Sequence, residues 1–136
     1  ETIPLGVADV KRTGSDVTVI ATSSMVPVAL AAADQLATEG IDAEVIDPRT
    51  LSPLDEHTLV ESVKKTSRCV VVDEGYQRFG ATSEIASVIA EQAFYNLDSP
   101  IRRIGAMDVP IPFSPALEDE TIPDVKRIVA AVREMS

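Results

Sequence analysis

His57 is the only histidine in the chain and Cys69 the only cysteine. His57 stands beside Asp55 and Glu56, with no second histidine or cysteine at ligand spacing, so a zinc-type site has no donor set. A Ser–His–Asp triad would need this same imidazole, and no serine occupies a G-x-S-x-G turn. Cys69 opens the apolar run Cys69-Val70-Val71-Val72, which predicts a buried thiol and rules out an internal disulfide. Gly75 and Gly80 flank Tyr76 to Phe79, but neither the dinucleotide nor the P-loop glycine spacing is present, and a structural turn is the simpler reading. Asp73-Glu74 and Glu118-Asp119-Glu120 read as solvated loop acids in an acidic chain. On these grounds no catalytic, cofactor-binding or metal-ligating residue is assigned.

The elements that would position any site alternate along the chain. Val17 to Ala21 is rich in β-branched residues and predicts a strand, with Ser23-Ser24 after it as N-cap chemistry. A helix then runs to about Glu39, with Val26, Ala29, Leu30, Ala33, Leu36 and Ala37 on one face, Pro27 in its first turn and Gly40 as its stop. Ala43 to Ile46 predicts a second strand. Asp47 to Pro53 reads as a loop in which Asp47 and Arg49 form a local ion pair, and Asp55 caps a helix carrying Leu59, Val60 and Val63. Cys69 to Val72 is a third strand, and Asp73 to Phe79 a loop. The next helix bears Ile85, Val88, Ile89 and Ala93, and Ile101 to Ile104 gives a fourth strand. A last helix starts near Pro123, with Thr121 and Asp124 as a capping box and Val125, Ile128, Val129 and Val132 as its stripe. Val7 to Lys11 predicts a short edge strand ahead of the Gly14-Ser15 turn. Together they predict an α/β fold: an open three-layer sandwich with a mainly parallel sheet of about five strands, one antiparallel edge, and helices on both faces.

The chain has 136 residues, enough for one domain, with 45% hydrophobic and 25% charged residues. No apolar run approaches the roughly 20 residues of a membrane-spanning helix, and the first residues show no targeting pattern. The formal charge is −10, from 22 acidic and 12 basic residues. Nucleic acid is therefore not an expected partner, whereas a basic protein surface is compatible. Gly105 to Glu120 is a long irregular stretch held extended by Pro110, Pro112 and Pro115. Its apolar residues Met107, Val109, Ile111, Phe113 and Leu117 are candidates for a subunit interface.

Several segments are familiar as a set. Ile3-Pro4-Leu5-Gly6-Val7-Ala8-Asp9-Val10-Lys11-Arg12, the stretch Glu44 to Asp55 with Arg49-Thr50-Leu51-Ser52-Pro53-Leu54-Asp55, Asp73 to Gly80, and Asp108 to Pro123 occur in one order. In that order they resemble the C-terminal, transketolase-type domain of the E1 β subunits of thiamine-diphosphate 2-oxo acid dehydrogenases. Pro48 stands where that family more often has Leu. The resemblance implies a parent enzyme of the pyruvate or acetoin type, an oxidoreductase using thiamine diphosphate and Mg²⁺ that passes an acyl group to lipoyl-E2. It also implies that this domain is non-catalytic and serves assembly with an E1 α subunit and a second β subunit. Docking of the basic peripheral-subunit-binding domain of E2 is implied for some members, with Asp98 and the chain end at Met135 and Ser136 as candidate contacts. Cytoplasmic location follows, or the mitochondrial matrix in a eukaryote. Two other readings are the equivalent domain of transketolase or deoxyxylulose-phosphate synthase, and a free-standing flavodoxin-like binding module.

The GDG-and-asparagine motif that holds the cofactor's diphosphate and Mg²⁺ in the resembled family is absent from this sequence. The chain by itself should therefore show no saturable heat on calorimetric titration with thiamine diphosphate and Mg²⁺. Stoichiometric binding would overturn the non-catalytic assignment.

Overall fold

The computed structural model describes residues 6–49, 54–76, 81–106 and 125–135. Five strands form one sheet: β1 (Asp9–Arg12), β2 (Val17–Ala21), β3 (Ala43–Asp47), β4 (Cys69–Tyr76) and β5 (Arg102–Ala106). Their spatial order is β1-β3-β2-β4-β5. β1 pairs antiparallel with β3, while the β3–β2, β2–β4 and β4–β5 pairs are parallel. The helices are α1 (Val26–Ala37), α2 (Glu56–Thr66), α3 (Ala81–Ala93) and α4 (Val125–Met135).

Strand pleating sorts the core into two halves. Val17, Val19 and Ala21 pack with Val45, Val70 and Val72 beneath α1 and α4, around Ala29, Ala33, Leu36, Ile128 and Val132. Ile20, Ile46, Cys69 and Val71 face the other way, beneath Leu59, Val60 and Val63 of α2 and Ile85 and Ile89 of α3. The sheet is thus covered on both faces, which is why its strands read as unbroken apolar runs.

Helix ends follow local chemistry, with two departures from the sequence pattern. Asp55 caps α2 as expected: Thr58 N donates to its Oδ1 at 3.2 Å and Thr58 Oγ1 to its Oδ2 at 2.6 Å. The second oxygen also accepts from Ala8 N at 2.9 Å, so one carboxylate holds both a helix and the chain leading into β1. Ahead of α1, however, Ser23–Met25 forms a 3₁₀ turn, and Met25 rather than a serine takes the N-cap place, without a side-chain cap bond. β4 is longer than its apolar run: Asp73–Tyr76, read as loop, continues the strand, because Tyr76 still pairs with Ala106 beyond an irregularity after Val72.

Two glycines are needed for different reasons. Gly14 passes against β3, where a Cβ would meet the carbonyl carbon of Ala43 at 2.4 Å. Gly40 follows α1 at φ +82° with open space around it. Gly14→Ala should therefore destabilise by about 3 kcal/mol, since backbone cannot yield to it, and Gly40→Ala by about 1 kcal/mol from conformation alone. Urea unfolding of both variants measures this. Equal losses would mean that the close approach at Gly14 relaxes freely.

Candidate partner interface

Parallel strands joined by helices put the strand starts and the helix ends at one end of the sheet. Ser67, φ 67°, closes α2 in the left-handed region, with its N–H on Val63 O. Its own carbonyl accepts from Asp98 N at 2.8 Å, which anchors the segment between α3 and β5 to the end of α2. Arg102, at the start of β5, pairs with Glu134 near the end of α4. Arg133 meets Glu39 through two bonds, Nε to Oε1 at 3.0 Å and Nη2 to Oε2 at 2.5 Å, and so ties the end of α4 to the end of α1. Asp98 and the α4 terminus, set far apart in sequence, therefore share this end of the molecule.

The electrostatics there are uneven. Hydrogen bonding and charge from Arg133 hold the Glu39 carboxyl below its ordinary range and raise the guanidinium. Asp98 is exposed, and among the described residues its carboxylate makes no hydrogen bond or ion pair. Next to it, Phe94 and Tyr95 form a 3₁₀ turn after α3 with rings 5.4 Å apart at 81°, edge to face. Phe94 is 63% exposed and Tyr95 96%. The sequence pattern assigns these two residues no role, since no motif marks them.

The remaining sequence candidates are distributed as follows. Met135 is buried at 8% exposure and packs into the core half beneath α1 and α4, so its side chain stabilises this domain and is not displayed at the surface. Ser136 lies outside the described residues, as do Met107, Val109, Ile111, Phe113 and Leu117. Arg49 stands at φ 68°, and its N–H donates to Asp47 Oδ1 at 2.8 Å, so Asp47 sets the turn through the backbone. Cys69 is fully buried, and burial pushes its thiol up to about 12. His57 lines a cleft of about 350 Å³ between β1 and α2, together with Val10, Glu44, Thr58, Glu61, Ser62 and Lys65. Among the described residues no group of three or more His, Cys, Asp or Glu could hold a metal, and no helix is long and apolar enough to cross a membrane.

Glu44 is an acid buried in the sheet, at 4% exposure. Lys65 Nζ reaches its Oε1 at 2.6 Å and Gly14 N at 3.0 Å. Burial pushes its carboxyl up, but bonds from Lys65, Gly14 and Ser62 outweigh that and the net displacement is downward. The group is occupied structurally.

With that geometry in hand, similarity to known proteins is informative. Residues 6–128 match the family described as "Transketolase, C-terminal domain". Over 134 residues the chain is 48% identical to the β subunit of acetoin:2,6-dichlorophenolindophenol oxidoreductase of Bacillus subtilis, covering 98% of this chain and 39% of that protein. It is 46% identical over 129 residues to the mitochondrial pyruvate dehydrogenase E1 component subunit beta-1 of Arabidopsis thaliana, covering 95% of this chain and 36% of the relative. A solved structure titled as a split gene transketolase, inactive beta4 tetramer, superposes with a TM-score of 0.78 at 32% identity, covering 98% of this chain and 42% of that one. The chain belongs to the transketolase C-terminal domain family, in the form carried by E1 β subunits of 2-oxo acid dehydrogenases. It spans about two fifths of the length of these curated relatives.

The buried acid gives a pH test. Because the folded chain holds Glu44 below its ordinary value of 4.5, the stability its charge confers is present in full above that pH and is lost as pH falls through the folded value. Glu44→Gln should cost about 1–2 kcal/mol at pH 7, and the gap to the parent should close towards pH 3. Urea unfolding at both pH values decides it, a pH-independent gap counting against the ionised pair.

Proposed function

We propose that this domain is the assembly and docking part of an E1 β subunit. Its complete enzyme works with an α subunit and a second β subunit on pyruvate or acetoin, with thiamine diphosphate and Mg²⁺, and delivers an acyl group to lipoyl-E2. The observation that carries the reading is the near full-length similarity to β subunits named as components of such enzymes. Higher identity to these than to the split-gene transketolase favours it over the transketolase alternative. The diphosphate and Mg²⁺ motif of the resembled family is absent from this sequence, so the cofactor is assigned to the rest of the enzyme and no chemical step is assigned to this domain. The apolar residues Met107, Val109, Ile111, Phe113 and Leu117 are assigned to contacts with other subunits or with the preceding domain. The compartment is that of the parent complex, the cytoplasm or, in a eukaryote, the mitochondrial matrix.

Docking of a basic E2 domain is assigned to Asp98, whose carboxylate is exposed and unpaired among the described residues at the end where α4 finishes. Glu39 lies at that same end but is paired to Arg133, so its replacement would also break a link between α1 and α4. Glu84, exposed in the first turn of α3 at the opposite end, is a cleaner control.

With immobilised E2 peripheral-subunit-binding domain and intact E1, Asp98→Lys should weaken binding well beyond Glu84→Lys. Raising salt from about 0.05 to 0.5 M should slow association severalfold as the screening length shrinks. Equal losses from the two substitutions would reduce the effect to general acidity.

A further inference from the structure

We infer that Asp55 is the pin of the joint on which this domain is hung, and that it fixes which end of the sheet is turned towards the preceding domain of the β subunit. The inference rests on the reading above that the domain is one part of a longer chain, and adds to it the residue that sets the orientation.

A carboxylate has two acceptor oxygens, and Asp55 uses them for two different tasks. Its Oδ1 accepts the N–H of Thr58 at 3.2 Å and caps α2. Its Oδ2 accepts the Thr58 hydroxyl at 2.6 Å and, across 47 positions of sequence, the N–H of Ala8 at 2.9 Å. A helix cap needs only the first of these bonds. Burial by itself raises this carboxyl, but the bonds from Thr58 and Ala8 and the charge of His57 outweigh it, and the net displacement is downward. The group is thus an ionised acceptor at neutral pH.

The tie falls where the incoming chain changes course. Gly6 stands at φ 83°, in the left-handed region that glycine enters without strain. Two residues on, Ala8 is 7% exposed and belongs to the core half beneath α2 and α3, while Val7 between them stays 41% exposed. Ala8 stands just ahead of β1, and its N–H goes to Asp55. Gly6 leaves the chain two soft dihedrals upstream of this bond, so the bond decides where the swivel stops.

The joint also selects an end of the sheet. β1 runs antiparallel to β3, so Asp9 lies opposite Asp47 at the end where β3 finishes. The parallel strands β2, β4 and β5 finish at that end as well, and Met107 follows directly on the last of them. Met107 opens the stretch assigned above to contacts with other subunits or with the preceding domain. Asp98 stands at the opposite end, tied to Ser67 after α2. One carboxylate therefore holds the chain entry on the side of the candidate interface and keeps the docking acid turned away from it.

The test uses intact E1 with one spin label on Glu84→Cys, exposed on α3, and a second in the preceding domain; Cys69 is buried and stays unlabelled. Asp55→Ser still caps α2 but is too short to reach Ala8. Asp55→Asn keeps the shape with a single acceptor oxygen, and decides the matter should the serine variant fold poorly. Thr58→Val removes the hydroxyl bond and leaves the tie in place. In either Asp55 variant the Ala8 amide should exchange about tenfold faster, and the distribution of distances between the labels should widen about twofold, with neither change in Thr58→Val. Faster exchange with an unchanged distribution would make Asp55 a local contact and overturn the inference while the functional reading stands. Equal widening in Thr58→Val would trace the effect to the helix cap and overturn it as well. A β chain whose mass leaves no room for a preceding domain would overturn the functional reading itself.

Discussion

Every residue of β2 from Val17 to Ala21 is buried, and Thr18 is the only one with a polar side chain. A hydroxyl in the middle of a covered sheet must find partners within the protein, and α2 provides them. Thr18 Oγ1 lies 2.7 Å from Ser62 Oγ and 2.7 Å from Thr66 Oγ1, and Thr66 passes the chain on to Arg68 O at 3.0 Å. Two of these partners stand one helical turn apart, so the bonds set both the height and the rotation of α2 over the sheet. Ser62 also supports Glu44 on the neighbouring strand, whose charge Lys65 of the same helix balances. The buried polar groups thus fix how the helix sits on the sheet, a registration that apolar packing alone leaves looser.

A sheet covered on both faces leaves little ground for recognition. What is left is the two strand edges and the two ends. The antiparallel β1 edge bears Val7 and Val10, both partly exposed, and the Lys11–Asp9 pair. At the start of the strands, the loops between helix and strand are short and anchored by backbone bonds such as Asp98 N to Ser67 O and Asp16 N to Asp42 O. Short anchored loops present side chains in fixed positions, which suits recognition of a protein surface better than enclosure of a small molecule.

The sheet was legible because its strands are buried on both faces. Val17–Ala21 and Cys69–Val72 read as continuous β-branched runs, and the helices between them carry apolar stripes at helical spacing. Asp55 was legible as a cap because carboxylate capping is local. The polar Asp73-Glu74-Gly75-Tyr76 was not legible as strand, since its pairing with β5 is decided by a partner some thirty positions on. Ser23-Ser24 carry cap chemistry, yet the chain tightens into a 3₁₀ turn there before Pro27 permits the α-helix. Tertiary facts of this kind also decide the surface. Residue type ranks Met135 as more buried than Tyr95, but the extent, 8% against 96% exposure, is set by how the assembled domain packs.

The same holds for charge. An excess of acid in the composition says only that the protein repels its own kind, and location decides what a given carboxylate does. Glu39 and Glu134 are answered by Arg133 and Arg102, pairs of solvent-exposed groups that link helix ends and strand starts. Such pairs add little stability, but they remove bases from the surface around them. Arg102 and Arg133 are thus held by Glu134 and Glu39, whereas the Asp98 carboxylate makes no ion pair among the described residues. The field at that end is thereby set by which acid is left over, a property of the assembled domain that no count of charges along the chain contains.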